Sequence, residues 1–149
     1  MIARNPFTIA VSTLLAQASG FPVGRGRRPT GVNPPYYLLY SITTDLAGPE
    51  LADLNEDLTV IYQVTAVSGP DPSRPNSYGV ADQAEIMADK ARTAFLGRDP
   101  VTGLWLHTLT VPGIKVYGRS LDTEPGGTND PADAIMNYVQ RFEFNLTPA

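Results

Sequence analysis

Between Leu58 and Val67 the chain reads LTVIYQVTAV, with Leu58, Val60, Tyr62, Val64 and Ala66 at every second position and Thr59, Gln63 and Thr65 in between. Successive side chains of a strand point to opposite faces, so a period of two commits this segment to a sheet with one buried face. A sheet needs a cover on that face, and the rest of the sequence has to supply it.

Two segments carry the helical period that a cover requires. In FTIAVSTLLAQA (7–18) the residues Phe7, Val11, Leu14, Leu15 and Ala18 recur at spacings of three and four, with Asn5 as a cap, Pro6 in the first turn and Gly20 as the stop. In YGVADQAEIMADKARTAFL (78–96) Val80, Ala84, Met87, Ala88, Ala91 and Phe95 form the apolar face, and Asp82, Glu85, Asp89 and Arg92 form the polar one. Gly97 closes this helix as a C-terminal cap. The many alanines on its inner face let it lie close to whatever it covers.

Further strands are expected at Tyr36–Ile42 (YYLLYSI), whose near-continuous apolarity suggests cover on both faces, at Ile114–Ser120, and at Ile135–Thr147 (IMNYVQRFEFNLT). The last two should pair antiparallel. Leu104–Val111 is apolar and fits either a strand or an irregular segment. Long polar loops are expected at 20–35, rich in glycine, proline and arginine, and at Leu121–Asp133 (LDTEPGGTNDPAD). The segment from Thr44 to Asp57 reads as a turn or hairpin connection, and SGPDPSRPNS (68–77) as a loop.

The expected fold is therefore a single α+β domain over residues 1–149. Two helices lie on one face of a mixed, mostly antiparallel sheet of about four strands, in the order α-β-β-α-β-β. The apolar stretch at 7–18 is too short for a bilayer, which needs about 20 residues, so no membrane partner is expected.

The chemistry is constrained by what is missing. The chain has no cysteine and a single histidine, His107, which excludes thiolate sites and multi-histidine metal clusters within one chain. His107 sits in LWLHTL, where a packed structural role outweighs a catalytic one. No Gly-x-Ser-x-Gly elbow occurs, and GRGRR (24–28) precedes a strand, not a helix, so it does not form a phosphate loop. The carboxylates Asp122, Glu124, Asp130 and Asp133 do not follow the spacing of a twelve-residue calcium loop. Tyr36, Tyr37 and Tyr40 fit sheet core better than a stacking platform for single-stranded nucleic acid. No catalytic residue, cofactor or metal is expected.

Charge is distributed unevenly. Before Asp45 there are four basic residues, Arg4, Arg25, Arg27 and Arg28, and no acidic one; the remainder holds seven basic against 15 acidic groups, which leaves −8 there and −4 overall. Two loops of opposite charge suit a contact between copies of the chain, and a solvated arginine-rich loop accounts for the same count.

The helix YGVADQAEIMADKARTAFL with Ala81, Ala84, Ala88 and Leu96, the strand LTVIYQVTAV before it, PYYLLYSI after the first helix, and the closing YVQRFEFNLTP with Arg141 amid aromatics together resemble the tail terminator (tail completion) proteins of long-tailed bacteriophages. The resemblance runs from about residue 7 to 147. It implies a non-enzymatic homo-oligomeric ring, usually a hexamer, assembled in the host cytoplasm and located in the virion at the head-proximal end of the tail. Such a ring caps the tail tube protein, ends its polymerisation and meets the head-side connector or stopper protein, and DNA passes through the lumen without specific binding. The candidate interface residues are Arg25, Arg27 and Arg28 against Asp122, Glu124, Asp130 and Asp133. Another neck protein, a tail tube subunit, or a small ligand-binding or hydrolytic α+β domain are the competing readings.

Overall fold

The computed structural model describes residues 2–47, 57–70, 79–130 and 135–149. Helix α1 spans Arg4–Ser19 and α2 spans Ala81–Leu96; the strands are β1 (Val23–Arg25), β2 (Tyr36–Ala47), β3 (Asp57–Ser68), β4 (Ile114–Asp130) and β5 (Ile135–Pro148). The fold is α+β, with a five-stranded sheet in the order β1-β2-β3-β5-β4. β1 runs parallel to β2, and the other neighbours are antiparallel. No helix among the described residues is long and apolar enough to cross a membrane.

The period-two reading of β3 holds from Asp57 to Val64; beyond it Thr65, Val67 and Ser68 are buried as well, so the end of the strand is covered on both faces. Leu58, Val60, Tyr62, Val64 and Ala66 are buried, and across the ladder they face Leu146, Phe144, Phe142, Gln140 and Tyr138 of β5. Both helices cover this one face. Phe144 joins them, its ring 5.5 Å from Phe7 of α1 and 5.5 Å from Phe95 of α2, both edge-on in the geometry aromatic pairs favour. Ala84, Ala88 and Ala91 are buried against the sheet as their spacing predicts, while Asp82, Glu85 and Asp89 are exposed.

Several boundaries differ from the expectations. Val80 lies before the first turn of α2 and is 48% exposed, so it is not part of the buried face. Ala18 is exposed too, and the α1 face is completed by Thr8 and Ser19, whose hydroxyls bond the carbonyls of Arg4 and Leu15 one turn earlier. The N-cap of α1 is Ala3, with no side-chain cap, and Asn5 is already helical. Gly20 does stop α1, at φ 80°, with its N–H on the Ala16 carbonyl. Gly97 is extended (φ −63°, ψ 139°) and not left-handed; a Cβ there would collide with the Thr93 carbonyl oxygen and lie 2.8 Å from Leu106 Cδ1. Close approach, not backbone handedness, requires the glycine.

The segments expected as loops contain strand. Val23–Arg25 within 20–35 adds β1, raising the strand count to five. Leu121 to Asp130 continues β4, because backbone pairing to β5 needs no apolar side chains at an edge and two register shifts, between Leu121 and Thr123 and between Thr123 and Gly126, absorb Asp122, Glu124 and Pro125. Residues 131–133 of that expected loop lie outside the described residues, as do 48–56 of the expected hairpin connection and 71–77 of the loop before α2. β2 extends to Ala47 and pairs with β3 antiparallel, with a shift between Ser41 and Thr43. It is not covered on both faces: Leu38 and Tyr40 are half-buried and Ile42 is exposed. Leu104–Val111 is irregular apart from isolated bridges.

Candidate functional site

Strand order decides where the oppositely charged residues stand. Arg25 ends β1 at one edge of the sheet and Asp122 lies on β4 at the other, so four interstrand gaps, roughly 19 Å, separate their strands. They cannot meet within one subunit.

At the basic edge the sequence GRGRR becomes a turn. A Cβ at Gly24 would collide with the Arg27 carbonyl oxygen, Gly26 adopts φ 75°, and its N–H bonds the Leu39 carbonyl of β2. This turn holds Arg25, Arg27 and Arg28 exposed. Arg28 is bound back to its own loop through the Val32 carbonyl (2.7 Å) and Asn33 Oδ1 (2.9 Å). Arg25 donates to Asn5 Oδ1 at 3.3 Å. A cleft of about 520 Å³ opens here, lined by Arg4, Asn5 and Thr8 of α1, by Arg25, and by Tyr40 and Ser41 of β2. Below it, Tyr62 shares a 2.7 Å hydrogen bond with Thr8; burial pushes its phenol pKa up, and Thr8, Arg4 and Arg25 pull against that rise.

At the acidic edge Asp122 is exposed, but Glu124 is turned partly inward. Its Oε1 accepts from Nε2 of the buried Gln140 at 2.7 Å. Partial burial and the Glu124 carboxylate together push the Tyr138 phenol up. Asp130 stands on β4 opposite Ile135, and Asp133 lies outside the described residues.

Beside this edge stands a feature the sequence reading left undecided. Residues 97–106 form a tight hairpin: Asp99 Oδ1 accepts from the amides of Val101 (2.7 Å) and Thr102 (3.1 Å), the Asp99 amide bonds the Leu104 carbonyl, and the Leu106 amide bonds the Gly97 carbonyl. The Arg98 guanidinium stacks 4.1 Å from the Trp105 ring, and Arg119 of β4 lies 4.9 Å from the same ring while donating to the Phe95 carbonyl at 3.1 Å. The Arg119 Nε is buried without a hydrogen-bond partner among the described residues. Asp99-Pro100 followed by Gly103 was the available sequence signal for this turn.

His107 lines a cleft of about 270 Å³ with Ala18, Ile86, Asp89, Lys90, Thr93 and Ala94. Asp89 there is paired with Arg92 at 3.0 Å on the open surface of α2. Among the described residues no group of three or more histidine, aspartate or glutamate side chains is placed to hold a metal ion.

No protein-family model matches the sequence, and neither does any curated protein. Among solved structures the chain is similar to one from "Virion of native gene transfer agent (GTA) particle", with a TM-score of 0.54, 14% identity, and coverage of 94% of this chain and 93% of that one. At this identity the likeness is one of fold.

Proposed function

We propose that this chain is a structural virion protein that forms a head-to-tail ring, six-fold as in the tail terminator family it resembles, which caps the tail tube and joins it to the head-side connector. The observation that carries the reading is the placement of Arg25, Arg27 and Arg28 at one sheet edge and Asp122 at the other. A surface that binds a different surface on the next copy is heterologous, and it closes into a ring when the rotation allows. Opposite charges fix which edge meets which and speed the encounter. The fold likeness to a chain of a gene transfer agent virion over nearly the whole length of both supports a place in a phage-like particle.

In this reading the ring does no catalysis and needs no cofactor or metal. An acidic protein around the lumen repels DNA and lets it pass. Asp122 is offered as the edge contact, and Glu124, held by Gln140, sets the strand that presents it. The test is replacement of Arg25, Arg27 and Arg28 by glutamate, followed by scoring of tail length and head joining in particles. Overlong or headless tails support the assignment; capped, infectious particles contradict it.

A further inference from the structure

The hairpin at 97–106 is ordered by its own hydrogen bonds and by the Arg98 and Arg119 contacts with Trp105, yet its tip is apolar: Val101 is 91% exposed, Leu104 69% and Leu106 47%. A rigid tip of this kind gives up little conformational freedom when another surface covers it, which is how a preorganised contact gains affinity. Arg119 belongs to β4, so the hairpin flanks the acidic edge.

The opposite edge carries an apolar counterpart. β1 pairs only with Tyr37–Leu39, which leaves the outer side of β2 from Tyr40 to Ala47 without a strand neighbour among the described residues. There Ile42 is 42% exposed and Leu46 55% exposed. Arg4 reaches the same stretch, its guanidinium 2.8 Å from Thr44 Oγ1. Each edge therefore combines exposed aliphatic side chains with charge: Asp45 stands between Ile42 and Leu46 on the edge that also carries Arg4 and Arg25, and Arg98 and Arg119 flank the hairpin on the edge that also carries Asp122.

We infer that the 97–106 hairpin of one copy seats Val101 and Leu104 against Ile42 and Leu46 of the next copy, supplying the apolar centre of the edge-to-edge contact whose charges give it register. This rests on the ring reading and adds to it a particular pair of surfaces. The occupant is a second copy of this chain because both apolar halves lie on it at opposite edges, with Arg98 beside one and Asp45 between the residues of the other.

The absence of native cysteine makes the test clean. Val101→Cys is combined with Ile42→Cys or Leu46→Cys in one chain, the protein is oxidised, and products are separated without reductant. A disulfide needs Cα atoms within about 7 Å, so a ladder of linked copies reports the contact itself. In parallel, Val101→Ser with Leu104→Ser, both on exposed positions, should raise the concentration at which the assembly dissociates by roughly tenfold or more while leaving the melting temperature of the subunit unchanged. A ladder and a weakened assembly support the inference. A wild-type assembly that yields no ladder and tolerates the serine pair overturns the inference and leaves the ring reading standing. Linkage in the Val101→Cys single variant alone means tip-to-tip contact and also overturns it. A wild-type chain that stays monomeric overturns both.

Discussion

Gln140 Nε2 donates to Glu124 Oε1 at 2.7 Å and to the Ala88 carbonyl oxygen at 3.1 Å, so one buried amide ties β5 to the edge strand β4 and to α2. Both donors of that amide are used, and its oxygen has no hydrogen-bond partner among the described residues. Gln140→Glu removes both donors and sets a buried carboxylate beside Glu124. The variant should lose about 3–5 kcal/mol at pH 7, the usual cost of an uncompensated buried charge. Burial and the neighbouring carboxylate would raise the pKa of the new group, so its cost fades as pH drops and the neutral form returns. Thermal unfolding at pH 7 and pH 4.5 checks this; an equal deficit at both values contradicts it.

The alanine face of α2 gives a second prediction. Ala88 is 2% exposed and its helix lies against β3, β4 and β5. Ala88→Leu should destabilise by about 1–3 kcal/mol through overpacking. Val80→Ser, at the uncapped N-terminus of α2, should instead stabilise by about 0.5–1 kcal/mol as an N-cap. Urea denaturation of the two variants side by side measures the contrast.

The buried phenols give the alkaline limit of the fold. Burial pushes the Tyr37 phenol well above its ordinary value despite the opposing pull of Ser19, and its hydroxyl donates to the Met87 carbonyl at 2.5 Å. Tyr62 shifts in the same direction. In the unfolded chain these groups ionise near about pH 10, while the folded chain keeps them protonated. Their contribution is therefore complete below that pH and is lost as pH rises further. Melting temperature should be flat from pH 8 to 9.5 and fall beyond it, and Tyr62→Phe should reduce the slope of the fall.

Much of this fold is legible in the sequence where burial imposes a period. Tyr62, Phe144, Ala88 and Phe95 all follow from spacing, since a residue that leaves the core face also leaves the core. The rim is harder to read. Residues 121–130 look like a loop because Glu124, Pro125, Gly126 and Gly127 suit one, yet an edge strand is held by backbone bonds that those letters do not announce. β1 has only three residues, too few for a period. The interface candidates were visible as charge, but their separation to opposite edges came from strand order, which places β5 between β3 and β4. The hairpin was visible as the turn Asp99-Pro100 followed by an apolar run of undecided state, and its fixed shape was not, because its order comes from the Asp99 side chain and from two arginines that meet Trp105 in space.

Charge register leads to a mixing experiment. Arg25, Arg27 and Arg28 changed to glutamate should block assembly, and so should Asp122→Arg in a separate chain. An equal mixture should assemble again, because alternating copies restore opposite charge at every contact in a ring of even number. Added salt should weaken the wild-type assembly in the same assay. Failure of the mixture to recover, with both variants folded, contradicts the edge-to-edge arrangement.

A ring requires that this chain close on itself. Sedimentation velocity of the purified protein, with negative-stain images of the same sample, should give a particle near six times the 16.0 kDa subunit and a ring with an open centre. A 16.0 kDa monomer at every concentration reached, or filaments that never close, would contradict it.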